Sequence, residues 1–366
     1  MIGQKGVVLT VKSGGIEKHV AEVSTHLTDR GHQVTVYARA RYSPEKPEDY
    51  HGVELKYLPT VYFKNFEAIF HTFVSSIHAL FQDYDIIHYH GVGPATLAWI
   101  TRLFARKAKT VVTFHSQDQF HTKWGIIARL YLRLGNWAAA KFPHYCIAVS
   151  HEIQVYCRDH FRREVVFIPN GSTVKVVEDI NELAAFGFAP DQYLLNVGLI
   201  VPQKGLQYLI EAFKQIKTDK QLVFVGAPSF SDAYYTSVRE MAKGDERIHF
   251  LGFQSGETLE QLFAHAYVYI QPSDAEGLPV VVLEAMGFGT APFVSNIPAN
   301  VEAIHGAGVT FEKSNVEDLT KQLKALLRRP AHVRKIGEEA RAVIETEFSW
   351  HAVTGKIESV YITSRH

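Results

Sequence analysis

The chain has 366 residues, of which 46% are hydrophobic and 21% are charged, and its formal net charge is zero. This composition is typical of a globular protein long enough for two domains, and no apolar run reaches the roughly 18 residues that a membrane-spanning helix requires. Only Cys146 and Cys157 are present, which argues against a disulfide framework or a thiolate metal site. We therefore expect a cytoplasmic protein without a signal peptide.

The charges are unevenly divided along the chain. Lys and Arg outnumber Asp and Glu by 20 to 14 in residues 1–170, whereas residues 171–366 carry 18 basic against 24 acidic side chains. Residues 101–145 contain eight basic residues and one acid, Asp118. A basic surface indicates an anionic partner, but this density is too low for a nucleic-acid binder.

The first half alternates strand-like and helical segments. Residues 7–11 predict a buried strand, followed by Gly14-Gly15 and a helix through Leu27, which is the opening of a parallel α/β unit. The glycine pair would let the backbone approach a ligand, or it is simply a tight turn, and it is not the G-x-G-x-x-G dinucleotide fingerprint. Further strands are predicted at 31–37, 85–91, 109–114, 146–150 and 165–171, with helices at 65–81 and 123–142.

Histidines mark the ends of two predicted strands. His88 and His90 share one strand face, and His115 follows the next strand at its carboxyl end, where open parallel sheets bind their ligands. Asp83-Tyr84-Asp85 has the D-x-D form of a metal motif, but Asp is common in strand-initiating turns. The histidine pair lacks an acidic or cysteine partner nearby in sequence, and metal sites need three or four ligands. We predict no metal site.

The helix at 123–142 carries two stripes. The basic stripe suits a membrane surface or an anionic acceptor, although the solvated face of an ordinary helix gives the same pattern. The apolar stripe comprises Ile127, Leu130 and Leu134, and the basic stripe comprises Arg129, Arg133, Trp137 and Lys141.

The second half repeats the alternation. Two successive α/β sets of similar length predict two doubly wound domains. Strands are predicted at 193–198, 222–226, 248–253 and 267–271, and helices at 206–216, 232–242 and 258–265.

Residues 273–292 hold two glutamates, Glu276 and Glu284, separated by a Gly-Leu-Pro corner. Pro279 fits the first position of a helix that begins near Leu278, and the amides of residues 277–279 would form an anion site at the positive end of the helix dipole. Glu276, beside a bound anion, suits neutral hydroxyl partners. Glu284 lies within an apolar helical run and needs donors, which a vicinal diol provides. Taken singly, each glutamate could instead be an ordinary helix acid.

Lys204 precedes a predicted helix in the run V-G-L-I-V-P-Q-K-G. A cation at this position can neutralise phosphate oxygens. A solvent-exposed lysine is the alternative.

Several of these motifs together resemble one enzyme family. Glu276 with Glu284-Ala285-Met286 and a small-residue turn before Pro292, the Lys204-Gly205 pair, the T-x-H run ending at His115, G-G-x-E and I-P-N-G are similar to motifs of the nucleotide-sugar glycosyltransferases of glycosyltransferase family four. The family has the GT-B fold, an α/β fold of two Rossmann-like doubly wound domains that face a central cleft. The resemblance implies an N-terminal acceptor-binding domain (1–171), a C-terminal nucleotide-sugar-binding domain (172–348) and a terminal helix (349–366) that crosses back to the first domain.

The resemblance also implies roles for single residues. His115, Glu276 and Lys204 would be catalytic, with Glu284 on the ribose diol and Gly226 and Phe253 flanking the base. Leu199 stands where the family has an arginine, so one diphosphate-binding cation is missing. The remaining donor residues would be Gly14, Gly15, Gly198, Gly277, Leu278 and Pro279, and the acceptor side would include Asp118, Lys123, Arg129 and Arg133.

The implied reaction is retaining, metal-independent and cofactor-free transfer of a sugar from a nucleoside diphosphate sugar, with uridine diphosphate favoured. The acceptor would be a saccharide or a polyprenyl-diphosphate-linked sugar in cell-surface polysaccharide assembly, at the inner face of the membrane. A silent sugar-nucleotide-binding subunit, a nucleotide-sugar epimerase and a phosphorylase of the same fold are the alternatives. A classical dehydrogenase is excluded because the glycine fingerprint is missing.

Overall fold

The structure is a computed structural model that describes residues 1–7, 14–61, 63, 66–116, 126–228 and 232–363, without the side chains of 126–129 and 232. The chain divides into two compact units. Unit 1 comprises Met1–Asn170 with Trp350–His366, and unit 2 comprises Gly171–Ser349.

Unit 1 contains two short sheets. In the first, β1 pairs parallel to β3, and β2 pairs antiparallel to β3, whereas the second is fully parallel in the order β4-β5-β6-β7. The strands are β1 (Thr35–Ala38), β2 (Asp49–Tyr50), β3 (Val53–Tyr57), β4 (Ile86–His90), β5 (Lys109–Phe114), β6 (Tyr145–Ala148) and β7 (Val166–Phe167).

The chain start links the two sheets of unit 1. The carbonyl of Met1 accepts from the amide of Tyr37 at 3.0 Å, while Ile2 donates to His88 and accepts from His90, both at 2.9 Å. Residues 8–11 of the predicted first strand lie outside the described residues.

Seven α-helices and one 3-10 turn of unit 1 surround these sheets in the described part of the chain. They are α1 (Gly15–Asp29), α2 (Glu67–Ala79), α3 (Val92–Ala95), α4 (Ala98–Phe104), α5 (Ile126–Lys141), α6 (His151–Phe161) and, after unit 2, α15 (Trp350–Thr363), together with the 3-10 turn Ala40–Tyr42.

The last helix belongs to the core of unit 1. Trp350, Val353 and Ile357 of α15 are buried together with Val23 and Leu27 of α1. Arg30 and His32 at the end of α1 bond to the carboxylate of Glu358, at 3.0 and 2.7 Å. Apolar burial and an ion pair therefore hold the C-terminal segment on α1.

Unit 2 contains one six-stranded parallel sheet in the order β10-β9-β8-β11-β12-β13. Numbered within the unit this is 3-2-1-4-5-6, the Rossmann order, whose direction reverses between β8 and β11. Such strands are buried on both faces and read as continuous apolar runs, as Leu194, Leu222 and Val268 illustrate. The strands are β8 (Tyr193–Val197), β9 (Gln221–Val225), β10 (Ile248–Phe250), β11 (Val268–Gln271), β12 (Pro292–Ser295) and β13 (Val309–Phe311).

Helices cover both faces of the unit 2 sheet, as parallel crossovers require. α13 is capped by Asn315, whose side chain accepts from the amide of Asp318 at 2.9 Å. They are α7 (Asn181–Ala185), α8 (Leu206–Lys214), α9 (Asp232–Ala242), α10 (Gly256–Ala264), α11 (Val280–Gly287), α12 (Pro298–Ile304), α13 (Val316–Leu327) and α14 (Pro330–Glu347).

The strands and helices named from the sequence are confirmed within a few residues at their ends in the described part of the chain, except that only Val166–Phe167 of the predicted 165–171 strand forms. No element was predicted from the sequence at β3, β12 and β13, or at α3, α4, α6, α7 and α12–α14. Within the described ranges, each helix is too short or too polar to cross a lipid bilayer.

Candidate active site

The donor residues predicted in unit 2 lie together at one edge of its sheet. Gly198 follows β8, Gly226 follows β9, Phe253 follows β10 by a few residues, and the 272–279 loop follows β11. In a parallel sheet these are all carboxyl ends, and β8 and β11 flank the point where the strand order reverses. Ligands of open α/β sheets bind at such a point.

Two glycines at this edge are required by close backbone packing. A Cβ on Gly226 would lie 1.8 Å from the carbonyl oxygen of Gly198, and one on Gly205 would lie 2.0 Å from that of Pro272. Both glycines also have positive φ, 145° and 70°. The loops after β8, β9 and β11 therefore approach one another more closely than side chains would allow.

Lys204 and Glu276 form an ion pair at the centre of this edge. Lys204 Nζ donates to Glu276 Oε1 at 2.6 Å, and the side chains are 18% and 10% exposed. The same oxygen accepts from Ser273 Oγ at 2.6 Å and Gln271 Nε2 at 2.7 Å. Three donors fix this carboxylate, so its position is set before any ligand binds.

The loop that carries Glu276 is anchored on several sides. The amide of Asp274 donates to the carbonyl of Gln203 at 2.8 Å, beside Lys204. Asp274 also accepts from Ser314 Oγ at 2.7 Å, and the carbonyl of Ser273 accepts from Ser295 Oγ at 2.5 Å. The loop after β11 is thus tied to the turn that carries Lys204 and to the loop beyond β13.

The helix after this loop begins later than the sequence predicts. α11 starts at Val280, and Pro279 is its N-cap with φ −74° and ψ 103°, so the prediction that Pro279 occupies the first helical position is wrong by one residue. Proline has no N–H, and the extended ψ places it before the first turn. An anion at this helix start would therefore meet the amides of Val280 and Val281, together with those of the Gly277-Leu278 corner.

Glu284 lies in the second turn of α11 and is half-buried. Its charge and that of Glu276 both act on Tyr269, whose pKa is raised well above its ordinary value, first by burial and then by these carboxylates. Tyr269 itself donates to Gln271 Oε1 at 2.5 Å. The charges of the two predicted glutamates therefore act on one buried tyrosine, so they belong to one electrostatic site.

In unit 1, Gly14 and Gly15 form the start of α1, with Gly14 as its N-cap. Glu17 accepts from the amide of Gly14 at 2.8 Å and from that of Lys5 at 3.1 Å. The glutamate of the G-G-x-E run is thus a helix cap in this structure.

His115 directly follows β5, as predicted, and belongs to a buried group that we call the histidine cluster: His19, His88, His90 and His115. His90 Nδ1 lies 3.2 Å from His115 Nε2, and the rings of His19 and His115 meet edge-on with centroids 4.7 Å apart. His19 Nδ1 contacts Asn170 Oδ1 at 2.9 Å. His88 contacts Tyr361 and Thr113 through its two nitrogens, at 2.6 and 2.7 Å.

The histidine cluster is neutral at physiological pH. Burial lowers the pKa of His19 to about 4, against the raising effect of its bond to Asn170. The pKa values of His88, His90 and His115 are also held well below 6.5, first by burial and then by neighbouring histidines. A neutral imidazole can accept a hydrogen bond or ligate a metal through its unprotonated nitrogen, which imidazolium cannot do because both of its nitrogens carry protons.

Sequence reasoning missed how this cluster is assembled. Taken alone, His88 and His90 lacked further ligands, but His19 comes from α1, about 70 residues earlier, and His115 from the end of β5. The spacing of these residues in the sequence gives no sign of their contact. The prediction that the chain has no metal site stays a prediction.

The predicted acceptor residues are only partly described. Asp118 and Lys123 lie outside the described residues, as does the side chain of Arg129. Arg133 is exposed on α5.

The packed face of α5 differs from the predicted apolar stripe. Leu130 and Leu134 are 66% and 54% exposed, whereas the buried face includes Gly135, where a Cβ would lie 2.5 Å from the carbonyl oxygen of Val92. Close packing against α3 requires small residues, so the leucines point outward beside Arg133 and Trp137. The exposed face of α5 is both apolar and basic.

Helix α2 has a polar buried face and an aromatic exposed face. The hydroxyl of buried Ser76 lies 2.7 Å from the carbonyl of Thr72, to which it can donate, and 2.8 Å from the hydroxyl of Tyr89. Buried His71 contacts the carbonyl of Ala38 at 3.2 Å. α2 packs on α4, and α4 packs on α5. The helical spacing of the phenylalanines in the sequence could have revealed this face, which we call the aromatic stripe: Phe66, Phe70, Phe73, Ile77 and Phe81.

The α/β fold of the two units, with parallel sheets, matches that of glycosyltransferases of the GT-B class. The protein-family model described as "Glycosyl transferases group 1" matches residues 181–343 of the sequence, and a second family model, described as "Glycosyltransferase Family 4", matches residues 13–174. The chain therefore belongs to glycosyltransferase family four and is a glycosyltransferase.

Known proteins of similar sequence or structure agree with this assignment. The phosphatidylinositol N-acetylglucosaminyltransferase gpi3 subunit of Schizosaccharomyces pombe is 24% identical over 368 residues, which cover 95% of this chain and 77% of that protein. Sucrose-phosphate synthase from Thermosynechococcus elongatus superposes with a TM-score of 0.85 at 20% identity, covering 99% and 97% of the two chains. Anabaena HepE, solved with UDP and glucose, superposes with a TM-score of 0.79 at 19% identity over 98% of each chain.

Proposed function

We propose that the protein transfers a sugar from a nucleoside diphosphate sugar to a hydroxyl acceptor, with retention of anomeric configuration and without a metal or other cofactor. The observation that carries this proposal is the cluster of Lys204, Glu276 and Glu284 at the strand-order reversal of unit 2. The cation and the helix start suit the diphosphate of a nucleotide sugar. The two carboxylates suit its sugar hydroxyls and its ribose diol.

The chemistry requires a group that stabilises the departing diphosphate. When the glycosidic bond breaks, negative charge develops on the phosphate and positive character on the sugar carbon. Lys204 and the amides at the start of α11 can offset that negative charge because they are fixed before reaction. Glu276 then orients the sugar hydroxyls, and Glu284 accepts from the ribose diol.

In this proposal the other predicted residues take the roles that their motifs have in glycosyltransferase family four. Gly198 and Gly226 let the nucleotide approach the backbone, Phe253 flanks the base, and Gly14-Gly15 contacts the diphosphate. His115, neutral because it is buried, bonds a hydroxyl of the transferred sugar. HepE was solved with UDP and glucose, which favours uridine as the base.

The acceptor in this proposal is a saccharide on a lipid or the headgroup of a membrane lipid, as in polysaccharide assembly at the inner face of the membrane. The aromatic stripe of α2 and the exposed leucines and Arg133 of α5 suit peripheral contact with an anionic bilayer. The Schizosaccharomyces pombe relative is named for a phosphatidylinositol substrate, which also favours a lipid acceptor.

A panel of UDP-, GDP- and ADP-sugars tests the reaction. The protein is incubated with each donor plus EDTA, and nucleoside diphosphate release is followed by chromatography. We expect slow release of UDP from one donor, and with an accepting glycoside we expect a product whose anomeric configuration by NMR matches that of the donor. Epimerised donor, or binding without turnover, would instead identify an epimerase or a silent subunit, and Leu199 in place of the family arginine favours the latter.

The Glu284→Ala variant tests the proposed nucleotide-sugar site of unit 2. Loss of a hydrogen bond to a charged group costs about 1.5–3 kcal/mol, so we expect UDP affinity by calorimetry to fall by roughly 10- to 100-fold. Glu338→Ala, at an exposed position of α14, is the matched control. Equal UDP affinity for the parent and Glu284→Ala would remove the ribose assignment.

A further inference from the structure

The proposed reaction uses His115 and leaves the rest of the histidine cluster without a role. One nitrogen from each of His19, His90 and His115 can be chosen so that all three atoms lie within 4.8 Å of one another. The rings come from α1, from the end of β4 and from the residue after β5. Three separate elements therefore bring neutral imidazoles to one buried point.

His19 has an unused lone pair. Asn170 Oδ1 can only accept, so His19 Nδ1 carries the proton of their 2.9 Å bond. The lone pair of the neutral ring is then on Nε2, which is buried and has no hydrogen-bond partner. Burying such an atom without a partner is unfavourable, and a bound cation would satisfy it. An imidazole whose other N–H is held by a carbonyl-type oxygen is the usual arrangement of a metal-ligating histidine.

His90 and His115 have nearly the spacing that a tetrahedral metal requires. His90 Nδ1 and His115 Nε2 are 3.2 Å apart, and two nitrogens on a zinc ion with bonds of about 2.0–2.1 Å lie about 3.3 Å apart. Without a metal, one proton lies between these atoms. If that ring adopts its other tautomer, the proton moves to the outer nitrogen and both facing atoms offer lone pairs. His90 Nε2 is likewise buried without a partner.

The ligand chemistry restricts the ion. The group found among the described residues consists of three imidazoles, which suit Zn²⁺, Cu²⁺, Ni²⁺ or Co²⁺, whereas Mg²⁺ and Ca²⁺ require oxygen ligands. His88 does not join the group, because both of its nitrogens are bonded to Tyr361 and Thr113. Instead it stacks on His90 with ring centroids 4.1 Å apart and supports that ring.

We propose that His19, His90 and His115 bind one transition metal ion of the Zn²⁺ type, with a fourth position left for water or another small ligand. The ion is an inhibitor of transfer and not its cofactor, because it occupies the imidazole that contacts the sugar. The inhibition rests on the proposed function, whereas the binding does not.

Calorimetry with ZnCl₂ on metal-free protein tests the binding. We expect one equivalent to bind to the parent, and affinity to fall by about 100-fold or more in His19→Gln and His90→Gln. Asn170→Ala, which removes only the partner of His19, should weaken binding by roughly 10- to 100-fold. His160→Gln, at an exposed position of α6, is the control and should bind as the parent does. Parent-like affinity in both histidine cluster variants would overturn the site.

X-ray absorption of the zinc-loaded parent gives an answer that does not depend on how the variants fold. Three imidazoles with zinc–nitrogen distances of about 2.0–2.1 Å are expected. A sulfur ligand, or a single histidine, would contradict the proposal. Cobalt should show the intense visible bands of a tetrahedral site.

Inhibition is measured separately from binding. We expect one equivalent of Zn²⁺ to abolish nucleoside diphosphate release and EDTA to restore it. If zinc binds at the three histidines and turnover continues, the site stands and the role of His115 in transfer fails. If no donor is turned over at all, the proposed function fails while calorimetry and absorption still decide the metal site.

Discussion

The polar clusters to which the proposed function and the proposed metal site refer differ in charge between unit 1 and unit 2. In unit 2 the polar centre is an ion pair, Lys204 with Glu276, at the edge of a regular six-stranded sheet. In unit 1 the five buried histidines found among the described residues are uncharged and lie inside or beside two smaller sheets. The charged side chains of unit 2 can bind a charged ligand. The histidines of unit 1 stay neutral only while water is excluded from them.

The surfaces of the two units differ as well. Most of the exposed large apolar side chains in the described part of the chain belong to unit 1, and those of α2 and α5 form contiguous helical stripes. Exposed apolar stripes beside basic residues mark a surface for an amphipathic partner. In the proposed function, unit 2 binds the soluble, anionic substrate and unit 1 contacts the apolar partner.

The largest effect is expected in unit 2, from Lys204→Met. Removing a fixed donor to the leaving group should lower kcat by about 10²- to 10³-fold. The carboxylate of Glu276 keeps Gln271 and Ser273 as partners, so the loop should remain in place. The measurement is the steady-state rate of nucleoside diphosphate release at saturating donor.

Lys321→Met, at an exposed position of α13, controls for the loss of one positive charge and should keep the parent rate. A Lys204→Met enzyme with unchanged kcat would mean that the charge centre of unit 2 is structural. The difference in charge between the polar clusters of the two units would then have no bearing on sugar transfer.

An intermediate effect is expected in unit 1 on acidification, through His71. Burial, with the charge of Arg39 adding to it, lowers the pKa of His71 to about 4. Between pH 6.5 and about 4 the unfolded chain binds a proton that the folded chain does not, so stability is full above 6.5 and is lost as pH falls. The loss for one such group is at most about 3 kcal/mol.

His71→Gln keeps a donor for the carbonyl of Ala38 and should reduce this acid sensitivity, while His332→Gln, exposed in α14 of unit 2, should not. All four tryptophans of the chain belong to unit 1, so urea unfolding followed by tryptophan fluorescence at several pH values reports on that unit. An unchanged pH profile in His71→Gln would show that this histidine does not contribute.

The smallest effect is expected at the surface of unit 1, from Arg133→Gln. One basic residue near an anionic bilayer contributes about 1 kcal/mol, so vesicle flotation should show roughly fivefold weaker binding at low salt. Arg328→Gln, at the end of α13 in unit 2, is the matched control. Equal loss in both variants would assign the effect to net charge and not to the face formed by α2 and α5.

Local patterns predicted most of the described elements and the donor residues of unit 2. Motifs there follow successive strands, and parallel strands bring their carboxyl ends to one edge, so Gly198, Gly226 and Glu276 could be expected to lie together. Patterns were less reliable where a helix has two candidate faces. The leucines of α5 predicted an apolar face, but close packing at Gly135 decided which face is buried.

The sequence by itself determined the fold class and the family and predicted the candidate donor residues, because short-range periodicity and motif spacing carry that information. Only the tertiary structure decided that His19, His90 and His115 converge, that Lys204 pairs with Glu276 before any ligand binds, and that the aromatic stripe of α2 faces outward. Each of these depends on contacts between residues far apart in the chain. Such contacts follow from packing, which a linear pattern does not record.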